Sequence, residues 1–556
     1  MTQALIKHDD LFPLAEIDSL FSFSQIHLCS PALAGKPMPH KRPALADLVR
    51  GTVMLLMVAC FGGRELRAAE APVWPIPAWQ VSTPEEEGMD SAELVKMIVY
   101  GKTKSFDSLL ITRQGRIVLD AYYAPYTGDI PHNLNSATKS VVSSLVAMLR
   151  KDGVLDSLEH PVLDLFADRD PANIDERKKA ITVQHLLDMT SGLEWDEGFE
   201  GGREQSMIDM RRSPDWVKFI LDRSMSSHAP GELFYYNSGN SHLLSALVTK
   251  LSGTATLSYA DAKLLGPLGI AATFWRKDPQ GIAIGGFGLS MRPHDMAKFG
   301  YLYLRHGEWA GQQLLPAEWV DAVNHATIPM NARVDPGLTY HNQFWALPDR
   351  HVFMAVGYHC QVIMVFPDLD VVAAMTARDF CSFRRMAEGI SSAVKSEAPL
   401  PTNPEAARLL ADAVSDVSTE KPTEVGPAPQ IASVVSGKTY RFADNALDIR
   451  SVSLSFADRP GYDVELITHN PASPVIRMRG PIGLDGFYRK SEPTPFGLRA
   501  VKGAWVSGDT FDVDVQYVGL GEQQKFSLSF SDDKKVLLRG KGRYGREVAV
   551  TGEAGG

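Results

Sequence analysis

Long apolar runs are missing from this sequence. No stretch reaches the roughly 18–20 residues that a membrane-spanning helix requires, so no transmembrane span is expected. Cysteine is scarce, four in 556 residues, and none of the four stands at metal-ligand spacing. Neither a metal nor another cofactor is therefore expected. Basic runs are lacking too, and with a net charge of −10 nucleic acid is not an expected partner; the balance describes a solvated acidic surface. No internal repeat of fixed period occurs. What is present is ordinary for globular protein, with 44% hydrophobic and 22% charged residues. The length exceeds what one compact core holds, so two or more domains are expected.

One shorter apolar run lies near the N-terminus. Gly51–Gly63 (GTVMLLMVACFGG) follows Lys41, Arg42 and Arg50 and precedes Ala68-Ala69-Glu70-Ala71. A basic segment, a short apolar core and small residues beyond it describe a secretory signal peptide. The residues before Met38 fit no part of that pattern, so Met38 is expected to be the true start and 1–71 an N-terminal extension with a leader. A periplasmic or secreted location follows as an expectation. Met57-Val58-Ala59-Cys60 also resembles a lipid-attachment site, and Pro72 makes the best small-residue triplet a poor cleavage point. Cys29 and Cys60 then belong to the leader, which leaves Cys360 and Cys381 in the mature chain.

Composition divides the rest. Residues 398–432 are rich in Pro, Ala, Glu and Thr, with apolar periodicity only around Ala406–Val414, and read as a linker carrying one short helix. In 72–397, helix and strand patterns mix. Ser108–Tyr123 has two apolar runs around Gln114-Gly115, a hairpin signal. Ser140–Arg150 places Val141, Val142, Leu145, Met148 and Leu149 on one helical face, with Gly153 just past its end. Thr182 caps a short helix over Val183–Met189, and Ser241–Leu251 and Pro293–Arg305 are also predicted helices. Val362–Phe366 and Val371–Thr376 flank the turn residues Pro367-Asp368-Leu369-Asp370. In 433–556 the period becomes two: Val452, Leu454 and Phe456 alternate with polar residues, as do Phe511, Val513, Val515 and Tyr517, and Phe526, Leu528 and Phe530. That is an all-β sandwich or barrel, in which Gly483–Tyr488 and Gly503-Ala504-Trp505 read as turn and core signals.

The strongest chemical signal is Ser136-Ala137-Thr138-Lys139 at the start of the amphipathic helix. A spacing of three puts Ser136 and Lys139 on one face, one turn apart. A serine hydroxyl is a weak nucleophile and needs a neighbouring base, which a partly buried lysine can become by losing its proton. Free N–H groups at a helix N-terminus also favour a developing oxyanion. Taken alone the pattern is common. About a hundred residues on stands Pro230-Gly231-Glu232-Leu233-Phe234-Tyr235-Tyr236-Asn237-Ser238.

With both elements in view, the chain resembles the serine β-lactamase and penicillin-binding-protein superfamily, which pairs an S-x-x-K helix with a Y-x-N or Y-x-S element. Leu186–Glu197, Gly266–Ile270, Gly285–Gly300 and Trp309–Val323 carry the resemblance further, over roughly residues 75–395. It implies a mixed antiparallel sheet with flanking helices and a helical subdomain, an α+β fold to which the C-terminal all-β domain is appended. It also implies Ser136 as nucleophile, Lys139 as base and Tyr236 as proton shuttle, with Tyr235 the rival by position. The family's third element is a strand that usually leads with a cation; here Ala355-Val356-Gly357-Tyr358-His359-Cys360-Gln361 has none. That departure counts against β-lactam turnover and is closer to the 6-aminohexanoate-dimer hydrolases and family VIII carboxylesterases. The backbone N–H groups of Ser136 and Tyr358 are the implied oxyanion hole. Ser238, Trp195, Gly357 and His359 are the implied substrate contacts, with His359 an alternative base. The polar loop Trp195–Arg212, with Trp195, Asp196, Glu197 and Asp209, sits where the family's substrate loop falls, and most of these residues are expected to be solvated; Gly288 and Ser290 either line the cleft or punctuate a turn. The expected function is hydrolysis of a small-molecule ester or amide through an acyl-enzyme, with a class C-type β-lactamase or D-alanyl-D-alanine carboxypeptidase as the alternative. Cys360 and Cys381 bracket the hairpin Val362–Thr376, and two unpaired thiols are favoured over a bridge, because the chain would have to fold back after the second strand.

Overall fold

The computed structural model describes residues 72–198, 203–271, 274–330, 337–467, 475–494, 497–542 and 546–555. The expected leader, with Met38, Cys29 and Cys60, lies outside the described residues. No described helix is long and apolar enough to cross a membrane.

Turn chemistry sets the first strands. Phe106–Arg113 and Arg116–Tyr122 form the expected hairpin, and Gln114 and Gly115 between them have φ of 50° and 78°. Positive φ at both positions gives the two-residue turn whose twist matches antiparallel strands. The second hairpin, Gln361–Phe366 with Val371–Ala377, turns through Pro367–Leu369. Arg305 fixes its corner with hydrogen bonds of 2.6 and 2.8 Å to the Asp370 carboxylate. Val371–Ala377 pairs with Phe106–Arg113, so chain segments far apart in sequence meet at the centre of one nine-stranded sheet. The sheet is antiparallel except at one edge, where Gln80–Val81 runs parallel to Arg116–Tyr122.

Both faces of the sheet are covered. Leu109, Ile111, Ala373 and Met375 belong to one core with the helices Ser91–Thr103 and Phe383–Ala393; Leu110, Val372 and Ala374 belong to the other, with Pro293–Leu304 and Thr138–Lys151. Alternate residues feed opposite cores, which is why these central strands read as almost continuous apolar runs.

The helix Thr138–Lys151 departs from its amphipathic pattern. Every residue from Thr138 to Leu149 is buried. The serines of its polar face are not solvated: Ser140 Oγ donates to the Gln343 carbonyl at 2.8 Å and Ser143 Oγ to that of Asn342 at 2.7 Å. A hydroxyl that finds a carbonyl loses little on burial, so the helix can run through the middle of the core.

Within the expected linker, Pro404–Ser418 forms a helix capped by Asn403. Its Leu410 and Val417 join the core under Ser91–Thr103, so this segment is packed rather than free. Beyond it, ten strands form a second sheet in which Thr439–Phe442 pairs with the last strand, Glu547–Ala554. The outer strands approach each other: Arg499, on Leu498–Trp505, donates to the Tyr462 hydroxyl at 2.8 Å and to the Arg479 carbonyl at 3.4 Å. The result is a barrel-like all-β domain. The helix Gln430–Val435, with Ala432 and Val435 in the barrel core, closes one end beside the aromatic group Phe456, Trp505 and Phe511.

The other end docks on the first domain. Its turn Gly519–Gly521 reaches the segment that leads into Ser136: the Asn133 N–H donates to the Gly519 carbonyl at 2.6 Å. Tyr126 and Ile130 pack against Leu498, Ala500 and Val518. A Cβ on Gly519, whose φ is +92°, would meet the Pro131 carbonyl oxygen at 2.6 Å, so only glycine allows this approach.

Candidate active site

Ser136 lies in the single 3₁₀ turn Asn135–Ala137, immediately before the helix that carries Lys139. Lys139 is 1% exposed. Its ammonium nitrogen is 3.1 Å from Ser136 Oγ, 2.8 Å from Ser238 Oγ and 2.7 Å from the Gly286 carbonyl oxygen. Burial drives its pKa down to about 8 against the opposing pull of Glu197, because desolvation penalises the charged form. A Cβ on Gly286 would come within 2.9 Å of Ser238 Cβ, so the carbonyl reaches Lys139 only because residue 286 has no side chain.

Tyr236 completes the group, and its neighbour Tyr235 does not. The Tyr236 phenol is hydrogen-bonded to Ser136, and burial, then the charge of Glu197, holds its pKa well above the ordinary value. Lys139 Nζ lies 4.9 Å from the centre of the Tyr236 ring. Tyr235 instead is half-buried at the edge of the other core, its N–H bonded to the Met189 carbonyl. Asn237 caps the helix Ser238–Ser252 through its side chain, and this start places Ser238 beside Lys139.

The third element is held by a missing side chain as well. Gly357 ends the strand Val352–Gly357. A Cβ there would lie 2.1 Å from the Leu134 carbonyl oxygen and 3.2 Å from Ala137 N. Strand and nucleophile turn are therefore in direct backbone contact. The Tyr358 carbonyl accepts from Asn135 Nδ2 at 3.2 Å and from Gln361 Nε2 at 3.0 Å, which fixes the peptide next to Ser136.

Several expected contacts take other tasks. Trp195 is buried, with its ring against Gly239 and its indole N–H donating to Glu197 at 3.0 Å; it supports the site from behind instead of walling the cleft. Ser238 is equally buried and bridges Lys139 to Glu197. His359 does not act on Ser136. Its Nδ1 lies 3.3 Å from the Gly521 carbonyl oxygen of the barrel turn, and its ring contacts those of both Tyr358 and Phe380. Burial drives its pKa down to about 4. Gly288, with φ +92°, stands at a turn, whereas Ser290 lies in the short strand Ser290–Met291 and pairs with Asn133.

Two features differ from the sequence expectations. Glu197, in the loop expected to be mostly solvated, is half-buried and accepts both the Ser238 N–H, at 2.6 Å, and the Ser238 hydroxyl. Only its place in a polar loop hinted at this; no spacing pattern links it to Lys139. Cys360 and Cys381, expected to be unpaired, form a disulfide with Cα atoms 5.7 Å apart. The chain does fold back after the strand: Phe380 packs edge-on against Tyr358 at 5.0 Å, and Cys360 takes a positive φ of 62° at the turn. Among the described residues no cluster of His, Cys, Asp or Glu could hold a metal ion.

Residues 106–391 match the family described as Beta-lactamase. The 6-aminohexanoate-dimer hydrolase of Paenarthrobacter ureafaciens is 24% identical over 372 residues, which cover 61% of this chain and 88% of that protein. Among solved structures, a putative 6-aminohexanoate-dimer hydrolase from Bacillus anthracis aligns with a TM-score of 0.45 at 18% identity, over 62% of this chain and 88% of that one. The octameric penicillin-binding protein homologue from Pyrococcus abyssi aligns with a TM-score of 0.43 at 17% identity, over 83% of this chain and 100% of that one. The chain belongs to the beta-lactamase family and is a hydrolase of that fold.

Proposed function

We propose that this chain is a serine hydrolase that cleaves a small-molecule ester or amide through an acyl-enzyme on Ser136. The observation that carries the reading is the contact of a fully buried Lys139 amine, its pKa lowered to about 8, with Ser136 Oγ at 3.1 Å. At neutral pH about a tenth of such an amine is uncharged, against less than about a thousandth for an exposed lysine. Tyr236 remains a phenol under the same conditions, so Lys139 is the base and Tyr236 the conduit.

The chemistry runs in two steps. Ser136 Oγ bonds to the carbonyl carbon as its proton passes to Lys139. The backbone N–H groups of Ser136 and Tyr358 would receive the negative oxygen, a stabilisation on the order of a hundredfold in rate per donor. The bond to the leaving group breaks, and the leaving oxygen or nitrogen takes the proton by way of Tyr236. Water then attacks the acyl carbon, gives up its proton along the same route and releases the acid from Ser136.

The substrate side of the reading rests on what the third strand lacks. Ala355-Val356 precede Gly357 where a β-lactam carboxylate would need a cation. An ester or a linear amide, of the kind named for the 24%-identical relative, makes no such demand. The Cys360–Cys381 bridge supports export, since disulfides persist in oxidising compartments.

Labelling with a fluorophosphonate tests the nucleophile, and kcat/KM for p-nitrophenyl butyrate, a linear amide and nitrocefin tests the class. Wild type should label and Ser136→Ala should not, with the ester or the amide turned over faster than nitrocefin. Labelling of Ser136→Ala would remove Ser136 from its role. A higher kcat/KM for nitrocefin would favour the β-lactamase or carboxypeptidase reading.

A further inference from the structure

The barrel meets the first domain at the two segments that carry the implied oxyanion donors. Its turn Gly519-Leu520-Gly521 presents a carbonyl to each. The Gly519 carbonyl accepts the Asn133 N–H at 2.6 Å. The Gly521 carbonyl oxygen lies 3.3 Å from His359 Nδ1. Burial keeps the His359 imidazole neutral, with its pKa lowered to about 4, and a carbonyl can only accept, so Nδ1 carries the ring proton.

From these two contacts short chains of bonds run to the donors. Asn133 Nδ2 donates to Asn135 Oδ1 at 2.8 Å, the Asn135 N–H donates back to Asn133 Oδ1 at 3.2 Å, and Asn135 directly precedes Ser136. His359 directly follows Tyr358, whose carbonyl accepts from the Asn135 amide. Asn135, His359 and Cys360 have φ of 48°, 57° and 62°, a region that side chains other than glycine hold only where the surroundings impose it. The barrel is anchored beside them as well. Gln523 Oε1 accepts from Arg378 at 3.0 Å, and Arg378 also donates to Asp107, the buried partner of His132. A Cβ on Gly521, at φ +71°, would stand 2.9 Å from the Ala377 carbonyl oxygen and 3.3 Å from His132 Cε1. Turn and site therefore touch with no space between them.

We propose, on the serine hydrolase reading above, that the barrel is part of the catalytic centre: its turn, through Asn133 and through His359 as a positioning residue, sets the spacing of the Ser136 and Tyr358 N–H groups. In this role the barrel touches no reacting atom. Misplacement of such a donor by about 1 Å costs on the order of a hundredfold in rate, so the contact acts on kcat rather than on substrate binding.

The test uses the full chain, p-nitrophenyl butyrate and a fluorophosphonate, with Gly521→Ala, His359→Ala and His359→Asn. Asparagine keeps an N–H where His359 Nδ1 stands and tolerates positive φ. Gly521→Ala and His359→Ala should lose about tenfold to a hundredfold in kcat, with KM changed by less than about threefold. The phosphonyl oxygen is held by the same donors, so the rate of Ser136 labelling should fall in parallel while its final extent stays complete. The rising limb near pH 8 should keep its place, since Lys139 is untouched. His359→Asn should retain kcat within about threefold of wild type. Circular dichroism identifies the folded variants, and the two His359 variants carry the test if Gly521→Ala does not fold. Undiminished kcat in folded Gly521→Ala or His359→Ala overturns the proposal; so do equal losses in His359→Ala and His359→Asn, or a displaced limb. Wild type that is not labelled at Ser136 overturns the hydrolase reading itself, whereas labelled wild type beside unimpaired variants overturns the role of the barrel alone.

Discussion

Glu197→Gln gives a sharp test of the site, because it removes one charge and keeps the shape. Ser238 Oγ is 2.8 Å from Lys139 Nζ and 2.5 Å from a Glu197 oxygen. The ammonium and the carboxylate thus lie within about 5 Å, and such a pair interacts by about 3 kcal/mol at an effective dielectric near 20, or about 0.8 kcal/mol in bulk water. In pKa that is a range of about half a unit to two units. Glu197 is half-buried, so a value near the middle, about one unit, is expected. The direction follows from the charge: Glu197 stabilises the ammonium form, and its neutralisation lowers the pKa of Lys139 from about 8. The base must be neutral to accept the Ser136 proton, so kcat/KM rises with pH through that pKa. The assay is kcat/KM for p-nitrophenyl butyrate against pH. Wild type should show a rising limb centred near 8, and Glu197→Gln a limb about one unit lower. Its plateau should fall by about tenfold, because a carboxamide accepts from Ser238 less well than a carboxylate. A limb that stays in place or moves to higher pH would refute the coupling of Glu197 to Lys139.

Lys139→Ala and Tyr236→Phe should each reduce kcat by several orders of magnitude, and together by little more, since members of one proton relay are not additive; multiplicative losses in single-turnover kinetics would assign them to separate steps. Gly357→Ala places a Cβ 2.1 Å from the Leu134 oxygen and should cost on the order of a hundredfold in kcat/KM through displacement of the nucleophile turn. Gly508→Ala, with nothing within 4 Å of its Cβ, is the control that should leave activity unchanged. Cys360→Ser opens a bridge between residues 21 apart in sequence and should remove about 3 kcal/mol of stability by the loop-entropy relation, read as a lower Tm. Mass spectrometry of non-reduced, alkylated wild type should find neither Cys360 nor Cys381 alkylated.

The sequence by itself determined what is local. Ser136 and Lys139 are three residues apart, so any helix starting there brings them together. Gln114-Gly115 specifies a two-residue turn, and a period of two specifies the strands after residue 433, because each depends on neighbours within a few bonds or one repeat of the pleat. Tyr236 was legible only through the family resemblance of Pro230–Ser238, which left Tyr235 as its rival by position. Only the tertiary structure decided which distant groups these local units meet. Glu197 reaches Ser238 across 41 residues, and Gly286 reaches Lys139 across 147. The serines of the central helix are buried because carbonyls from another segment happen to face them. The Cys360–Cys381 bridge depends on Phe380 folding the chain back onto Tyr358, and the task of His359 depends on a barrel turn 162 residues away. Side-chain periodicity records which face of an element is apolar, but not what packs on that face. That is settled when the cores close, by shape, by hydrogen bonds that must be satisfied on burial, and by glycines that let two backbones touch.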